Sequence, residues 1–246
     1  MKVIGMIPSR LKSTRLPNKA LIDIEGLPMV IHVLKRAQLS SALDDVFVAT
    51  DSKEIFDAVK KHGGKAVMTS PDHHTGTDRI AEAAGKMDAD IVVNIQGDEA
   101  LLDPKHIDMA VKPLLNDRDL QVAVLVAPYR KTNSPSDIKA VLDLDGNILY
   151  CSRTDLPSTA RTKIDAMLKM CFIVPFRKDF LLKFTSWEQT PLEKIEFNEY
   201  LRILEHGYKI KAVRVEDAHI SVDTPEDLEI VRDIMKTDRL KDMYSK

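Results

Sequence analysis

A chain of 246 residues is long enough to bury one large hydrophobic core, or one core with a small lobe. Charged residues make up 30% and hydrophobic residues 44%, as expected of a globular protein in water, and 36 basic against 38 acidic side chains leave a net charge of −2. That near-balance argues against nucleic acid or an anionic membrane as a partner, because either calls for a strong basic excess. The amino-terminal apolar run is too short for a signal-peptide core, and no stretch approaches the roughly 18 apolar residues of a membrane span. Cys151 and Cys171 make neither a zinc-like spacing nor a disulfide framework. The expectation is two buried thiols in a cytoplasmic protein.

Along the chain, Val3 to Ile7 reads as a buried strand ended by Pro8, which has no N–H for the ladder. A loop follows in which Arg10, Lys12, Arg15 and Lys19 stand among Ser9, Ser13 and Thr14. Hydroxyls, backbone N–H groups and cations at the carboxyl end of a first strand suit an anionic ligand, although a solvated basic loop would look similar. Neither a P-loop nor a dinucleotide fingerprint is present. Ile22 to Gly26 reads as an extended piece and turn, and Pro28 as the first residue of a helix. Val46 to Asp51 is a second strand, Lys53 to His62 a helix closed by Gly63-Gly64, and Ala66 to Met68 a third strand. A helix over Thr77 to Lys86 precedes a fourth strand, Ile91 to Ile95. Strands alternating with helices predict βαβ units and a mostly parallel, doubly wound sheet.

Beyond residue 121 the pattern changes. Val122 to Pro128, Lys139 to Leu142 and Asn147 to Ser152 are strand-like, and Asp145-Gly146 is a hairpin signal. Leu156 to Leu168 reads as an excursion, Met170 to Pro175 as a strand, and Arg177 to Phe184 as a short helix. A helix from Leu192 to His206 closed by Gly207, a strand from Ile210 to Val215, and a last helix opened by Pro225 complete the chain. The expectation is one α/β domain over residues 1–246 with an embedded lobe at roughly 150–200.

Two acidic segments stand out. Gln96-Gly97-Asp98-Glu99 follows the fourth strand, so its carboxylates belong to the same sheet edge as the Arg10 loop. Val222-Asp223-Thr224-Pro225-Glu226-Asp227 precedes the last helix. Each has a plainer reading, the first as a turn and the second as a helix start with Asp223 as cap. Carboxylates in ones and twos suit Mg²⁺, which fills its remaining positions with phosphate oxygens and water.

Pro8 to Lys19, reading Pro-Ser-Arg-x-x-Ser-Thr-Arg-Leu-Pro-x-Lys, resembles the opening loop of the sugar-acid cytidylyltransferases, nearest to the 3-deoxy-manno-octulosonate cytidylyltransferase family. Gly97-Asp98-Glu99, Val222 to Asp227 and Thr75-Gly76-Thr77-Asp78-Arg79 extend the resemblance. It implies a Rossmann-like nucleotidyltransferase fold whose embedded lobe makes a dimer contact and roofs a sugar pocket. It also implies coupling of CTP to an acidic sugar, giving a CMP-sugar and pyrophosphate for surface polysaccharide synthesis, with Mg²⁺ as cofactor. The same resemblance assigns Arg10 and Lys19 to the triphosphate, Asp98 and Asp223 to the metal, and these four to catalysis. Pro8, Ser9, Ser13, Thr75, Arg79 and Gln96 complete the expected nucleotide site, with Gln96 at the cytosine edge. Thr77 and Asp78 read instead as a helix start with Thr77 as cap.

On the sugar side the resemblance points to Lys139, Arg153, Glu199 and Tyr200. Here the chain departs from the family pattern. Lys-His-x-Gly-x-Tyr-x-Tyr appears as Lys169 to Phe176 without the histidine or either tyrosine, and the glutamine before Leu-Arg is Tyr200. A pocket built to bond hydroxyls loses much when its polar groups go. The expectation is a different or less hydroxylated acceptor acid, with the same chemistry on a phosphonate or phosphorylated polyol as a separate option. A nucleotide-binding relative without catalysis is the alternative.

Overall fold

The computed structural model describes residues 1–11, 16–218 and 220–245. Ser13 and Arg15 lie outside the described residues. The fold is α/β, and the chain divides into two compact units, Met1–Asp108 with His219–Lys246, and Met109–Ala218.

The first unit is built on β1 (Val3–Ser9), buried at every residue except Pro8. Contrary to the expected stop, the strand runs through Pro8, which pairs with Ala49. The carbonyl of Val3 accepts from Asp44, and that of Lys2 from Asp90 and Ile91, so even-numbered residues point toward the Ile91 side. Pairing on that side ends at Met6 and Asn94. The missing N–H of Pro8 therefore falls beyond the ladder, where proline is tolerated.

A hairpin of β2 (Asp23–Ile24) and β3 (Leu27–Pro28) leads into α1 (Met29–Ala37). Pro28 is thus the residue before the helix rather than its first turn. β4 (Asp45–Thr50), α2 (Lys53–Lys61), β5 (Lys65–Met68), α3 (Gly76–Gly85) and β6 (Ile91–Ile95) follow. The strands lie in the order β6-β1-β4-β5, and every pairing is parallel. Chain direction across the sheet reverses after β5, which puts the crevice of a doubly wound sheet at the carboxyl ends of β1 and β6. The cap of α3 is Thr75, not Thr77: its hydroxyl accepts from the Asp78 amide at 3.1 Å, and Asp78 accepts in return from the Thr75 amide.

Residues 100–121 carried no assignment from sequence, yet α4 (Pro104–Asn116) occupies most of them. Ile107, Ala110, Val111 and Leu114 have helical spacing and are fully buried. Pro113 near the end masks the signal, because proline is a helix breaker anywhere but the first turn.

The second unit holds β7 (Ala123–Tyr129), β8 (Lys139–Leu142), β9 (Ile148–Ser152), β10 (Met167–Cys171), β11 (Ile173–Arg177), α5 (Lys178–Thr185), α6 (Pro191–Glu196), α7 (Tyr200–Glu205) and β12 (Lys211–Arg214). Its sheet runs β12-β7-β10-β8-β9, parallel only between β12 and β7. Two expected elements are split. The strand over Met170 to Pro175 breaks at Phe172, and the helix over Leu192 to His206 breaks at Phe197, which takes the left-handed conformation with φ 50°. The break lets α7 fold back so that Arg202 grips Glu193 of α6 through two contacts, at 2.7 and 2.6 Å, both side chains buried.

The chain returns to the first unit as α8 (Pro225–Met235), whose Leu228, Val231 and Met235 face the core as expected. Its cap is Thr224 rather than Asp223. Leu16, Ile24, Met29, Ala100 and Val222 pack with those three side chains into one apolar cluster. The segment after α8 is clamped to α1. Arg36, 1% exposed, meets the Asp238 carboxylate at 2.8 Å and donates to the Leu102 carbonyl and the Tyr244 hydroxyl. His32 bonds the Ile24 carbonyl and the same hydroxyl, and burial holds its pKa below the usual value. Burial pushes the Asp238 carboxyl up, but the Arg36 guanidinium and the Lys241 amide more than offset this and hold it below the carboxylate range.

A group whose native pKa is lowered contributes stability that is complete above its unfolded value and is lost as pH falls through the native one. Asp238→Asn should therefore cost about 3 kcal/mol at neutral pH by leaving a buried guanidinium without its counter-ion. The difference from wild type in urea melts should shrink as pH drops below about 4.

Candidate active site

The carboxyl ends of the parallel strands β1, β4, β5 and β6 deliver their following loops to one edge of the first unit. A cleft of about 680 Å³ opens there, lined among others by Pro8, Ser9, Arg10, Lys19, Thr75, Arg79, Gln96, Asp98 and Asp223. Every described residue expected at the nucleotide or the metal is in this lining.

At its centre the Lys19 ammonium lies 2.7 Å from Asp98 Oδ2 and 3.2 Å from Asp223 Oδ1. Three separate features produce this convergence. Lys19 begins a single 3₁₀ turn, Lys19–Leu21, entered through Asn18 in the left-handed conformation that asparagine tolerates. Asp98 leaves β6 directly, and its carbonyl accepts a hydrogen bond from the Val222 amide at 3.0 Å, so the two acidic loops are tied by their backbones. Asp223 is released from capping because Thr224 caps α8, and the Asp227 carboxylate accepts from the amides of Asp223 and Thr224. The apolar cluster of Leu16, Ala100 and Val222 supports all three loops from below.

Gly97 is required by close approach. A Cβ there would stand 2.9 Å from the Pro8 carbonyl oxygen, below contact distance. Gly76 is nearly as tight, with its Cβ position 3.0 Å from Pro8 Cγ, which seats the start of α3 against the end of β1. The positive end of that helix's dipole favours an anion.

Arg79 is only 3% exposed, and its guanidinium donates to Thr69 Oγ1 at 2.6 Å and to the Ser70 carbonyl, with Asp51 at 3.4 Å. It holds the loop before Thr75 from within. Among the polar lining residues, His73 and His74 escaped the sequence reading. The signal available was a His-His pair immediately before Thr75-Gly76. His73 Nε2 meets Glu82 at 2.7 Å, and Glu82 also accepts from the Ser70 amide. That amide and the imidazole hold the Glu82 pKa down at about 2.

The residues expected at a sugar lie in the second unit, and their charges are already engaged. Lys139 is fully buried, its ammonium donating to the carbonyls of Ser134 and Asp137 at 2.8 Å each and to that of Arg153. The Arg153 guanidinium donates to the carbonyls of Pro135, Ser136, Glu196 and Phe197. Glu199 precedes α7, and Tyr200 is buried with its ring stacked on Phe172 at 5.7 Å between centroids. Two of the positions at which the chain departs from the family pattern, Phe172 and Tyr200, are therefore neighbours.

Residues 4–210 match the model of the cytidylyltransferase family. The chain belongs to that family. It is 43% identical to the 3-deoxy-manno-octulosonate cytidylyltransferase of Geotalea uraniireducens over 96% of this chain and all of that one. It is 40% identical to the protein of the same name from Solibacter usitatus, over 98% of each. Among solved structures it resembles a CMP:2-keto-3-deoxy-manno-octonic acid synthetase complexed with CTP, with TM-score 0.93, 36% identity, and 96% and 99% of the two chains covered. A cytidylyltransferase from Leptospira borgpetersenii, 21% identical with TM-score 0.66 over 97% and 88%, shares the fold. This cytidylyltransferase is thus a nucleotidyltransferase of mixed α/β architecture, with a parallel sheet beneath its cleft. Among the described residues no three His, Cys, Asp or Glu side chains gather as a metal cluster, and no helix is long and apolar enough to cross a membrane.

Gly97→Ala tests whether the cleft depends on the approach of β1 to the Gln96–Asp98 loop. It should cost roughly 1–3 kcal/mol in denaturant melts, because the new methyl meets a backbone carbonyl that cannot rotate away. A stability equal to wild type would show that the loop moves freely.

Proposed function

We propose that this cytidylyltransferase couples CTP to the 2-keto-3-deoxy sugar acid named in its relatives, releasing pyrophosphate and a CMP-sugar. One observation carries the reading: Lys19, Asp98 and Asp223, far apart in sequence, meet in a cleft that Arg10 and Gln96 also line. The relatives' names and the CTP-bound neighbour supply the nucleotide and the acid.

Asp98 and Asp223 would hold Mg²⁺. The fit rests on the donor set: two carboxylates already brought together around a cation, with triphosphate oxygens and water left to fill the other positions. When bound, the metal neutralises charge developing on the phosphoryl oxygens. Arg10 and Lys19 would take the triphosphate, the first through two parallel hydrogen bonds and the second as a point charge. Gln96 would read the cytosine edge, and Pro8, Ser9, Ser13 and Thr75 would frame the phosphates. In the reaction an acceptor hydroxyl oxygen bonds to the α-phosphorus, the bond from that phosphorus to the bridging oxygen breaks, and the hydroxyl proton leaves to water.

For Lys139 and Arg153 we infer a framework role toward the acid, since their cations are spent on carbonyls. Glu199 and Tyr200 are the candidates for contact. A second reading keeps the chemistry but gives the site an acceptor with fewer hydroxyls. The stacked Phe172–Tyr200 pair favours it. We also propose a homodimer. Leu149, Ile195 and Phe197 are 63, 72 and 83% exposed, and Glu196 between the last two is bonded to Tyr150 and Ser152 of β9. We read these exposed apolar side chains as the association surface.

Pyrophosphate release from CTP and Mg²⁺ should appear with one member of a panel of 2-keto-3-deoxy acids and not without an acid. Asp98→Asn and Asp223→Asn should each lower kcat at least about 100-fold while melting cooperatively. Turnover near wild type in either variant would overturn the metal assignment. Phe197→Asp should convert the dimer into a monomer by light scattering coupled to gel filtration. A wild-type monomer would remove the dimer reading.

A further inference from the structure

We infer that Lys19 is a placeholder for the metal, an internal counter-ion that occupies the two-carboxylate site until a triphosphate draws it away. The inference rests on the reading of Asp98 and Asp223 as metal ligands and adds an order to it. Its ground is that one ammonium serves two carboxylates, at 2.7 and 3.2 Å.

The same group has two claims on it. As a phosphate ligand it must point at the triphosphate. As it stands it neutralises the pair of acids that would bind the metal. A cation held between two carboxylates competes with a second cation for the same oxygens, so the ammonium and the metal exclude one another there. The geometry lets the ammonium leave. Lysine carries its charge on four methylenes, and the Lys19 side chain is 17% exposed at the cleft rather than sealed below it. The backbone that positions the acids does not depend on it, because the Val222 amide binds the Asp98 carbonyl and the Asp227 carboxylate fixes the Asp223 amide. Removing the ammonium therefore leaves two like charges side by side in a loop frame that persists.

Two consequences follow. The nucleotide-free protein binds a divalent cation weakly, since the metal must first displace an ammonium. The triphosphate, by supplying new oxygens for Lys19, opens the carboxylate pair to metal, which links the two binding events with positive coupling. Premature loading with metal is thereby disfavoured, and the acids are never left as an unneutralised pair.

The probe is Mn²⁺, which reports its own binding by electron paramagnetic resonance. In nucleotide-free protein Lys19→Met should bind Mn²⁺ at least about tenfold more tightly than wild type, because the competing charge is gone. The gain should disappear in the double variant Lys19→Met with Asp98→Asn. Equal Mn²⁺ affinity in wild type and a cooperatively folded Lys19→Met would overturn the placeholder. Wild-type protein offers a test that needs no variant. Labelling of Lys19 by an amine-reactive ester, read by peptide mass spectrometry, should rise severalfold when Mn²⁺ is added without nucleotide, and unchanged labelling would overturn the inference. Failure of the underlying reading looks different: Lys19→Met would bind no Mn²⁺ at all, and wild-type turnover would be independent of divalent metal.

Discussion

The first unit is arranged to hold one positive charge against two negative ones. Lys19 meets Asp98 and Asp223 across 79 and 204 residues of chain. Contacts of such sequence separation are the last to be rewarded and the most costly in chain entropy. No local preference could bring them about. The parallel sheet does so by ending β1 and β6 on one edge, and the apolar cluster around Leu16, Ala100 and Val222 does so by seating the three loops on a common floor. The ion triad itself is partly exposed and would contribute little to stability on its own. On the proposed reading its value lies in chemistry.

That division explains where the structural investment sits. The far end of α1 carries a buried guanidinium engaged by Leu102, Asp238 and Tyr244. Arg232 and Lys241 reach the β2–β3 hairpin, through the Asp23 carbonyl and Glu25. These bonds fix the hairpin, the segment after Asp98 and the end of α8 relative to one another, away from the cleft. The cleft can then keep a movable ammonium at its centre, because its walls are set elsewhere. A site that must exchange one cation for another needs this separation between rigid walls and mobile charge.

How much of this was legible beforehand depends on the range over which each signal acts. The succession of strands along the chain and the helices α2, α3 and α8 follow from apolar spacing and flanking glycines and prolines, which are local. The approach of Asp98 to Asp223 was foreseen only because the segments resembled a family. Errors arose where a local signal pointed one way and packing another. Pro8 looked like a strand end, but the neighbouring ladder had already stopped there. Leu192 to His206 looked like one helix, but the buried Glu193–Arg202 pair holds a chain reversed at Phe197. Asp223 looked like a cap, yet the capping falls one residue later, which leaves its carboxylate for Lys19. His73 and His74 passed unnoticed because a histidine pair has no periodic signature and only the cleft gives it meaning.

The second unit shows the opposite relation between charge and function. Lys139 and Arg153 were expected at the substrate because their segments resemble those that hold the acid in the family. In the fold they are satisfied by backbone carbonyls, seven of them between the two side chains. The buried Lys139 ammonium cannot turn to a substrate without leaving those acceptors unsatisfied, at about 1–3 kcal/mol each, whereas the half-buried Arg153 guanidinium is held by the number of its contacts. Such a residue shapes a pocket by holding its loops. On the proposed reading selectivity then comes from other side chains, and the stacked Phe172–Tyr200 pair, with Tyr200 only 3% exposed, offers apolar contact instead of hydrogen bonds to hydroxyls.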